Sequence, residues 1–516
     1  MRGKFVLRAG GAILAVCCLV AVAAADVKLP GVFGDHMVLQ REMPIPVWGW
    51  ADAGEKVTVT LGEQSKTATA CPEGKWCVKF DPIKAGGPLT LKVEGKNSVR
   101  FSDVLVGEVW LCSGQSNMAM SVGGAMNKEQ EIAASDLPKI RMFTVARVPA
   151  KEPQDNCKGE WQVSGPKTVA GFSATAYFFG RELHKQLDVP VGLINSSWGG
   201  TPIQTWTSIK AHEAMPELKP MAETLKKQAE TYDPEKDKVR YEKQMAQWKA
   251  SAAKAKAAGK PFRDRAPQEV QDPRARAGSP AALYNGMIAP LAPYAIRGAT
   301  WYQGEANAGS KVYSLQMKAM IGNWREDWKQ GDFPFLFVQL PNFMAPQEKP
   351  SEAAGGWPLI REEFVKTLTL VPNTGMAITI DVGEEKDIHP KNKQEVGRRL
   401  AQWALAKTYD KKVAASGPIY KSMRVDGGKI VLEFDYASCG LAARDGGKLK
   451  GFAVAGADKK FVWADAQVVG DTLVVSSAEV KSPAAVRYAW ANNPDCNLIN
   501  KCGLPASPFR TDDWAQ

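Results

Sequence analysis

Hydrophobic and polar positions along the chain fall into three regimes. Residues 26–102 carry short alternating runs at 37–39, 45–50, 56–61, 76–80 and 89–93, punctuated by Gly, Pro and Asp. That pattern predicts a small antiparallel β unit. From 103 to about 410 the pattern changes. Near-continuous apolar runs at 104–112, 191–195, 296–302, 335–340 and 376–380 alternate with helix-period segments at 173–187, 311–329, 357–370 and 391–409. Strands buried on both faces read as continuous apolar runs, and their alternation with helices predicts a layered parallel sheet. The expected fold class is therefore α/β, a three-layer α/β/α domain. Residues 213–278 interrupt the alternation with a helix over 235–258 rich in Ala, Lys, Glu and Gln, read as an insertion on the sheet. Strand-like runs return at 430–434, 451–454, 472–476 and 485–490, so 411–516 is expected to be a second β domain.

Composition refines this picture in three places. Residues 1–25 have the form of a secretory signal: Arg2, Lys4 and Arg8, an apolar core over 9–22, then Ala23, Ala24 and Ala25 before Asp26. The core is short for a bilayer span and no other stretch is long and apolar enough, so a secreted or periplasmic chain without a membrane span is expected. Loss of those three basic residues takes the formal net charge from +11 to +8. The excess is dispersed, not gathered into a basic stripe with aromatics, which argues against nucleic acid as a partner. Outside Cys17 and Cys18 of the leader, Cys71 and Cys77 flank one short loop, between runs at 67–71 and 76–80 that read as hairpin strands, and Cys496 and Cys502 bracket another. Two local disulfides are expected from that spacing in an exported chain, with Cys112 a small buried hydrophobe. The isolated His36 reads as structural, and His184, off its helix's apolar stripe, as solvated.

Candidate chemistry gathers where apolar runs stop. The first run ends in S-G-Q-S-N-M (113–118), placing Ser116 at a strand's carboxyl end and near a helix start. Ligands bind along that rim in open α/β sheets, and a helix N-terminus offers unpaired N–H groups to a developing oxyanion. Later runs end in S-S-W-G-G-T-P (196–202), W-Y-Q-G-E-A-N (301–307) and D-V-G-E-E-K-D-I-H-P (381–390).

The stretch G-E-V-W-L-C-S-G-Q-S-N-M (107–118) resembles the first block of the SGNH (GDSL-like) hydrolases, in the form of their sialate O-acetylesterase branch. V-R-Y-A-W-A-N-N-P (486–494) and L-P-A-S-P-F-R-T-D (504–512) resemble the same branch, so the likeness covers nearly the whole mature chain. It implies Ser116 as nucleophile and His389 as general base. It also implies an oxyanion hole of the Ser116 N–H, a glycine N–H and a side-chain amide. Gly200 is the glycine chosen, with Gly199 the alternative; Gln303 is the amide, with Asn307 the alternative. Glu305 is a candidate for orienting the amide or a substrate hydroxyl. The family acid stands three residues before the histidine, where this chain has Lys386, which cannot accept the imidazole Nδ1–H bond. Asp387 is chosen instead. Asp381, Glu384, Glu385 or a backbone carbonyl, the last making a Ser-His dyad, remain open. The resemblance implies an O-acetylated glycan substrate, O-acetylated sialic acid first, and no cofactor or metal. Acetylated xylan, or an inactive carbohydrate-binding relative, is the alternative.

Overall fold

The structure, a computed structural model, describes residues 26–352 and 356–514, so the leader over 1–25 lies outside the described residues. The chain begins with β1 (Val38–Gln40), β2 (Ile45–Trp50), β3 (Lys56–Leu61), β4 (Gln64–Thr69), β5 (Lys75–Phe80) and β6 (Gly86–Glu94). Strict alternation turns Val57, Val59 and Leu61 of β3 inward, and likewise Trp76, Val78 and Phe80 of β5. The next strand, β7 (Ser98–Gly114), is 17 residues long. Its first half pairs with β6 and β1, and its second half forms the middle of the catalytic sheet. The border expected at 102/103 thus falls inside one continuous strand. At the crossover a Cβ on Gly107 would lie 2.0 Å from Pro190 O, so only glycine lets the chains pass that closely. His36 is tied down nearby, its Nδ1 2.7 Å from Asp103 Oδ2, and Arg141 donates to the same carboxylate.

The catalytic sheet continues with β8 (Ile140–Thr144), β9 (Trp161–Val163), β10 (Val191–Ser197), β11 (Gly298–Tyr302), β12 (Phe335–Val338) and β13 (Thr374–Ala377). The strand order is β13-β12-β11-β7-β10-β8-β9. All neighbours are parallel except β9, which runs antiparallel to β8 and makes the sheet mixed. The sequence pattern missed β8, because Arg141 interrupts its short apolar run. The charge is met by Asp103, which lets the strand be buried.

Among the described residues the α-helices are α1 (Ser116–Ala119), α2 (Lys128–Ala133), α3 (Ala174–Leu187), α4 (Ile209–Glu213), α5 (Lys219–Thr231), α6 (Pro234–Ala257), α7 (Tyr313–Trp328), α8 (Trp357–Leu370) and α9 (Lys393–Lys407). On one face of the sheet α3 and α9 pack together; Gly180 of α3 lies against Leu193, and Gly397 of α9 against Phe178. On the other face Trp324 of α7 meets Trp301, and Phe364 of α8 stacks on Phe337. Three layers result. The inserted α6 buries none of its residues. His184, expected in solvent, is half-buried at the end of α3 with its Nδ1 2.8 Å from Val189 O.

A second apolar core, from Ile430 to Phe509, belongs to the C-terminal β unit, whereas the N-terminal strands share the core of the catalytic sheet. Arg361, fully buried on α8, fastens the C-terminal unit to the sheet. Its guanidinium donates to Leu340 O, Pro341 O, Ala491 O and Asn492 O.

Neither expected disulfide forms; among the described residues the bridge is Cys439–Cys502, with Cys71, Cys77 and Cys496 free. Register explains both outcomes. Leu441 pairs with Asn500 on antiparallel strands, so two residues further out Cys439 faces Cys502. The strands expected to form a hairpin around Cys71 and Cys77 pair elsewhere, β4 with β3 and β5 with β2. Cys112 is buried, and burial pushes its thiol up to about 12.

Candidate active site

Chain order reverses across the sheet at β7: β10 lies on one side and β11 on the other, each reached by its own crossover. Ligand crevices form at such switch points, beyond the carboxyl ends of the strands. Here β7 ends in Gly114, with φ +141° and a hypothetical Cβ 2.2 Å from Tyr302 O. The turn is held by Gln115 N donating to Tyr302 O and Trp198 N donating to Gly114 O. α1 starts immediately, with Ser116 as its first residue, half-buried at the rim.

His389 arrives from the loop after β13. Its Nε2 lies 2.8 Å from Ser116 Oγ. Asp387 Oδ1 accepts the His389 backbone N–H at 2.9 Å and stands 3.5 Å from Nδ1, a long contact for a hydrogen bond. Asp381, the alternative acid, is engaged elsewhere: Arg399 holds both its oxygens and Arg444 one of them. Glu384 accepts the Lys391 N–H at 2.8 Å and so shapes the loop.

Gly199 and Gly200 follow β10 on the same rim. A Cβ on Gly199 would meet Ser116 Cβ at 3.2 Å, while Gly200 has φ +74° and open space around it. The N–H groups of Ser116, Gly199 and Gly200 find no acceptor among the described residues.

The two amides after β11 differ sharply. Gln303 is fully buried, and its Nε2 has Gln115 Oε1, Thr201 O and Asn307 Oδ1 as acceptors at 2.8 to 3.2 Å. Tyr313 OH donates to its Oε1. Both hydrogens of Gln303 are therefore committed inward, which removes it from the rim position expected for it. Asn307 is half-buried, and Gln204 is its Nδ2 acceptor at 3.1 Å. Gln204 also lines a cavity of about 460 Å³ with Met221, Thr224 and Gln228 of α5. The insertion thus walls a cavity at Gln204, the residue to which Asn307 donates.

Beneath the rim lies a polar group that sequence reasoning largely passed over. Asn117 Nδ2 donates to Glu305 Oε1 and Ile388 O, and Lys393 Nζ donates to Asn117 Oδ1. Burial pushes the Glu305 carboxyl up, with the Asn117 bond and the charges of Lys393 and His389 opposing. Asn117 stood inside the quoted motif. Lys393 carried only its position four residues past His389, which says nothing of burial.

Fold and site together define a carboxylic ester hydrolase, with a serine and a histidine paired on the rim of a layered α/β sheet. The chain belongs to the family of carbohydrate esterases described as sialic acid-specific acetylesterases, whose model matches residues 106–255 and 275–406. It is 32% identical to the sialate O-acetylesterase of Rattus norvegicus, over 92% of each chain. It is 28% identical to that of Homo sapiens, over 94% of this chain and 93% of the human one. A crystal structure of a carbohydrate acetylesterase from Xanthomonas citri is similar with a TM-score of 0.79 and 37% identity, covering 95% of this chain and all of that one.

Proposed function

We propose that the protein removes O-acetyl groups from O-acetylated sialic acids, with Ser116 as nucleophile and His389 as general base. The observation that carries this reading is the 2.8 Å approach of His389 Nε2 to Ser116 Oγ at the sheet's switch point. In the first step Ser116 Oγ attacks the acetyl carbonyl carbon and its proton passes to His389. The carbonyl oxygen becomes an oxyanion, taken up by the N–H groups of Ser116 and Gly200, with Gly199 the other candidate. Asn307, half-buried and with one amide hydrogen beyond its bond to Gln204, is the third donor in place of Gln303. Collapse expels the sugar oxygen, which leaves as an alcohol with the proton from His389. Water then attacks the acetyl-enzyme by the same route and acetate departs. Asp387 orients His389 through its backbone N–H and lies within Coulombic reach of the imidazolium.

The names of the relatives in rat and human support sialic acid as the sugar. Export to a secreted or periplasmic location is part of the same proposal, supported by the leader's pattern and by the Cys439–Cys502 bridge, which persists best in an oxidising compartment. The test is acetate release from O-acetylated sialic acids and from acetylated xylan, with Ser116→Ala as control. Sialic acid esters are expected to be the better substrates, and Ser116→Ala to lose roughly three orders of magnitude or more in turnover. Preference for xylan would overturn the sugar assignment, and activity surviving in Ser116→Ala the nucleophile.

A further inference from the structure

The mechanism above gives no task to Lys393, a cation buried beside the catalytic pair. Lys393 is the first residue of α9 and is 0% exposed. Its Nζ donates to Asn117 Oδ1 at 2.6 Å and to Pro390 O at 2.8 Å, and stands 5.2 Å from the centre of the Tyr302 ring. Asn117 spends its two amide hydrogens on Glu305 Oε1 and on Ile388 O. Ile388 and Pro390 are the neighbours of His389 on either side. The carbonyls flanking the histidine are therefore gripped by Asn117 and Lys393, while its own N–H is held by Asp387. Both grips converge on the residue that follows Ser116.

We propose that Lys393 is a positioning residue for the catalytic pair: through Pro390 O and Asn117 Oδ1 it locks the His389 loop to the Ser116 turn at the separation proton transfer requires. The proposal rests on the reading of Ser116 and His389 given above.

The energetics argue that the lysine is not there for stability. A cation in the first turn of a helix opposes the helix dipole. Burial pushes the ammonium down to about 7, with the charges of Glu305, Glu384 and Asp387 opposing that shift. A group lowered this far disfavours folding at every pH below its unfolded value, because the unfolded chain holds the proton more tightly. An apolar side chain of similar length would fill the space without that cost, but it would leave Pro390 O and Asn117 Oδ1 without their shared donor.

The experiment uses full-length enzyme and p-nitrophenyl acetate, comparing Lys393→Met, Lys393→Arg and a Ser116→Ala blank. Lys393→Met is expected to keep a cooperative thermal transition and a KM within about twofold, while kcat falls on the order of 10- to 100-fold, the scale of a small misplacement of reacting groups. Lys393→Arg, which restores a cationic N–H donor, should recover most of that loss. If Lys393→Met does not fold, Lys393→Gln is read by the same criteria. A wild-type kcat in the Met or Gln variant, or a loss that Lys393→Arg does not recover, overturns the positioning role. Activity surviving in Ser116→Ala instead overturns the functional reading on which the proposal rests.

Discussion

Asp387 has one oxygen 2.9 Å from the His389 backbone nitrogen and 3.5 Å from Nδ1. The shorter contact makes it a loop cap first and an imidazole partner second. Both side chains are also open to water, His389 at 42% and Asp387 at 46% exposure, so their Coulombic attraction is screened. Asp387→Asn should therefore lower turnover by only about tenfold, well short of the ~10⁴-fold loss of a buried triad acid. Steady-state kinetics across pH would check this, and a loss near the larger figure would mean that the Nδ1 contact tightens when substrate binds. Ser116 and His389 were legible in the sequence because each stands in a motif beyond an apolar run, and the resemblance to the SGNH hydrolases implies their pairing. The acid was not, because a carboxylate two residues from a histidine can face either way. Asp381 shows the same ambiguity resolved by charge: the arginines of α9 and of the C-terminal unit claim it. Lys393 was illegible for a further reason. Its role depends on being buried, and a lysine beside Asn392 and Gln394 carries no local mark of burial.

The loop after β11 shows what an element does that its residues do not reveal singly. Gln303 joins β11 to Gln115 ahead of α1, to Thr201 beyond β10 and to Tyr313 of α7. It is a four-way splice, and its burial leaves several polar partners unsatisfied if it is removed. Gln303→Ala is thus expected to destabilise the fold by about 2 to 4 kcal/mol, combining those partners with the cavity. Asn307→Ala strips an acceptor from Gln303 Nε2 and from the Ile203 N–H, so it should cost about 1 to 2 kcal/mol, less than Gln303→Ala, and on the order of 10²-fold in turnover, the scale of one oxyanion donor. Calorimetry and kinetics on the two variants decide the matter, and the reverse pattern would restore Gln303 as the donor. Element limits were read well at β2, β3 and α8, which match their expected bounds. Strand partners were not, because pairing is a non-local choice. The unformed hairpin around Cys71 and Cys77, and the bridge between Cys439 and Cys502, both follow from register, which local spacing does not encode.

Across the whole molecule, buried carboxylates matched to arginines tie the parts together. Glu108 on β7 meets Arg41 from the N-terminal strands and Arg297 ahead of β11. Asp381 meets Arg399 of α9 and Arg444 of the C-terminal unit. Burial alone would raise both carboxyls, but the bonds and charges of the arginines outweigh it and hold them below their ordinary range. A carboxyl lowered in this way binds fewer protons folded than unfolded. Its stabilisation is complete above the unfolded pKa, near 3.9 for aspartate, and is lost as pH falls through the folded value. Glu305 acts in the opposite sense, since burial raises it, so it slightly favours the fold in acid. The Asp381 pair also joins the two apolar cores, so acidification should loosen the C-terminal unit before the catalytic sheet melts. Asp381→Asn isolates this effect. At neutral pH it removes one of two carboxylates facing a nearly buried Arg399, which keeps Glu395 at 3.3 Å and Ile378 O, and should cost about 1.5 to 3 kcal/mol, the scale of a hydrogen bond to a charged group. Below about pH 4 the unfolded chain takes up a proton on this carboxyl that the folded state resists, so the gap between wild type and variant should narrow as pH falls toward the lowered folded value. Calorimetric scans of both proteins from pH 7 into the acid range measure that gap. A gap that stays constant with pH would show that Asp381 contributes through packing and not through its charge.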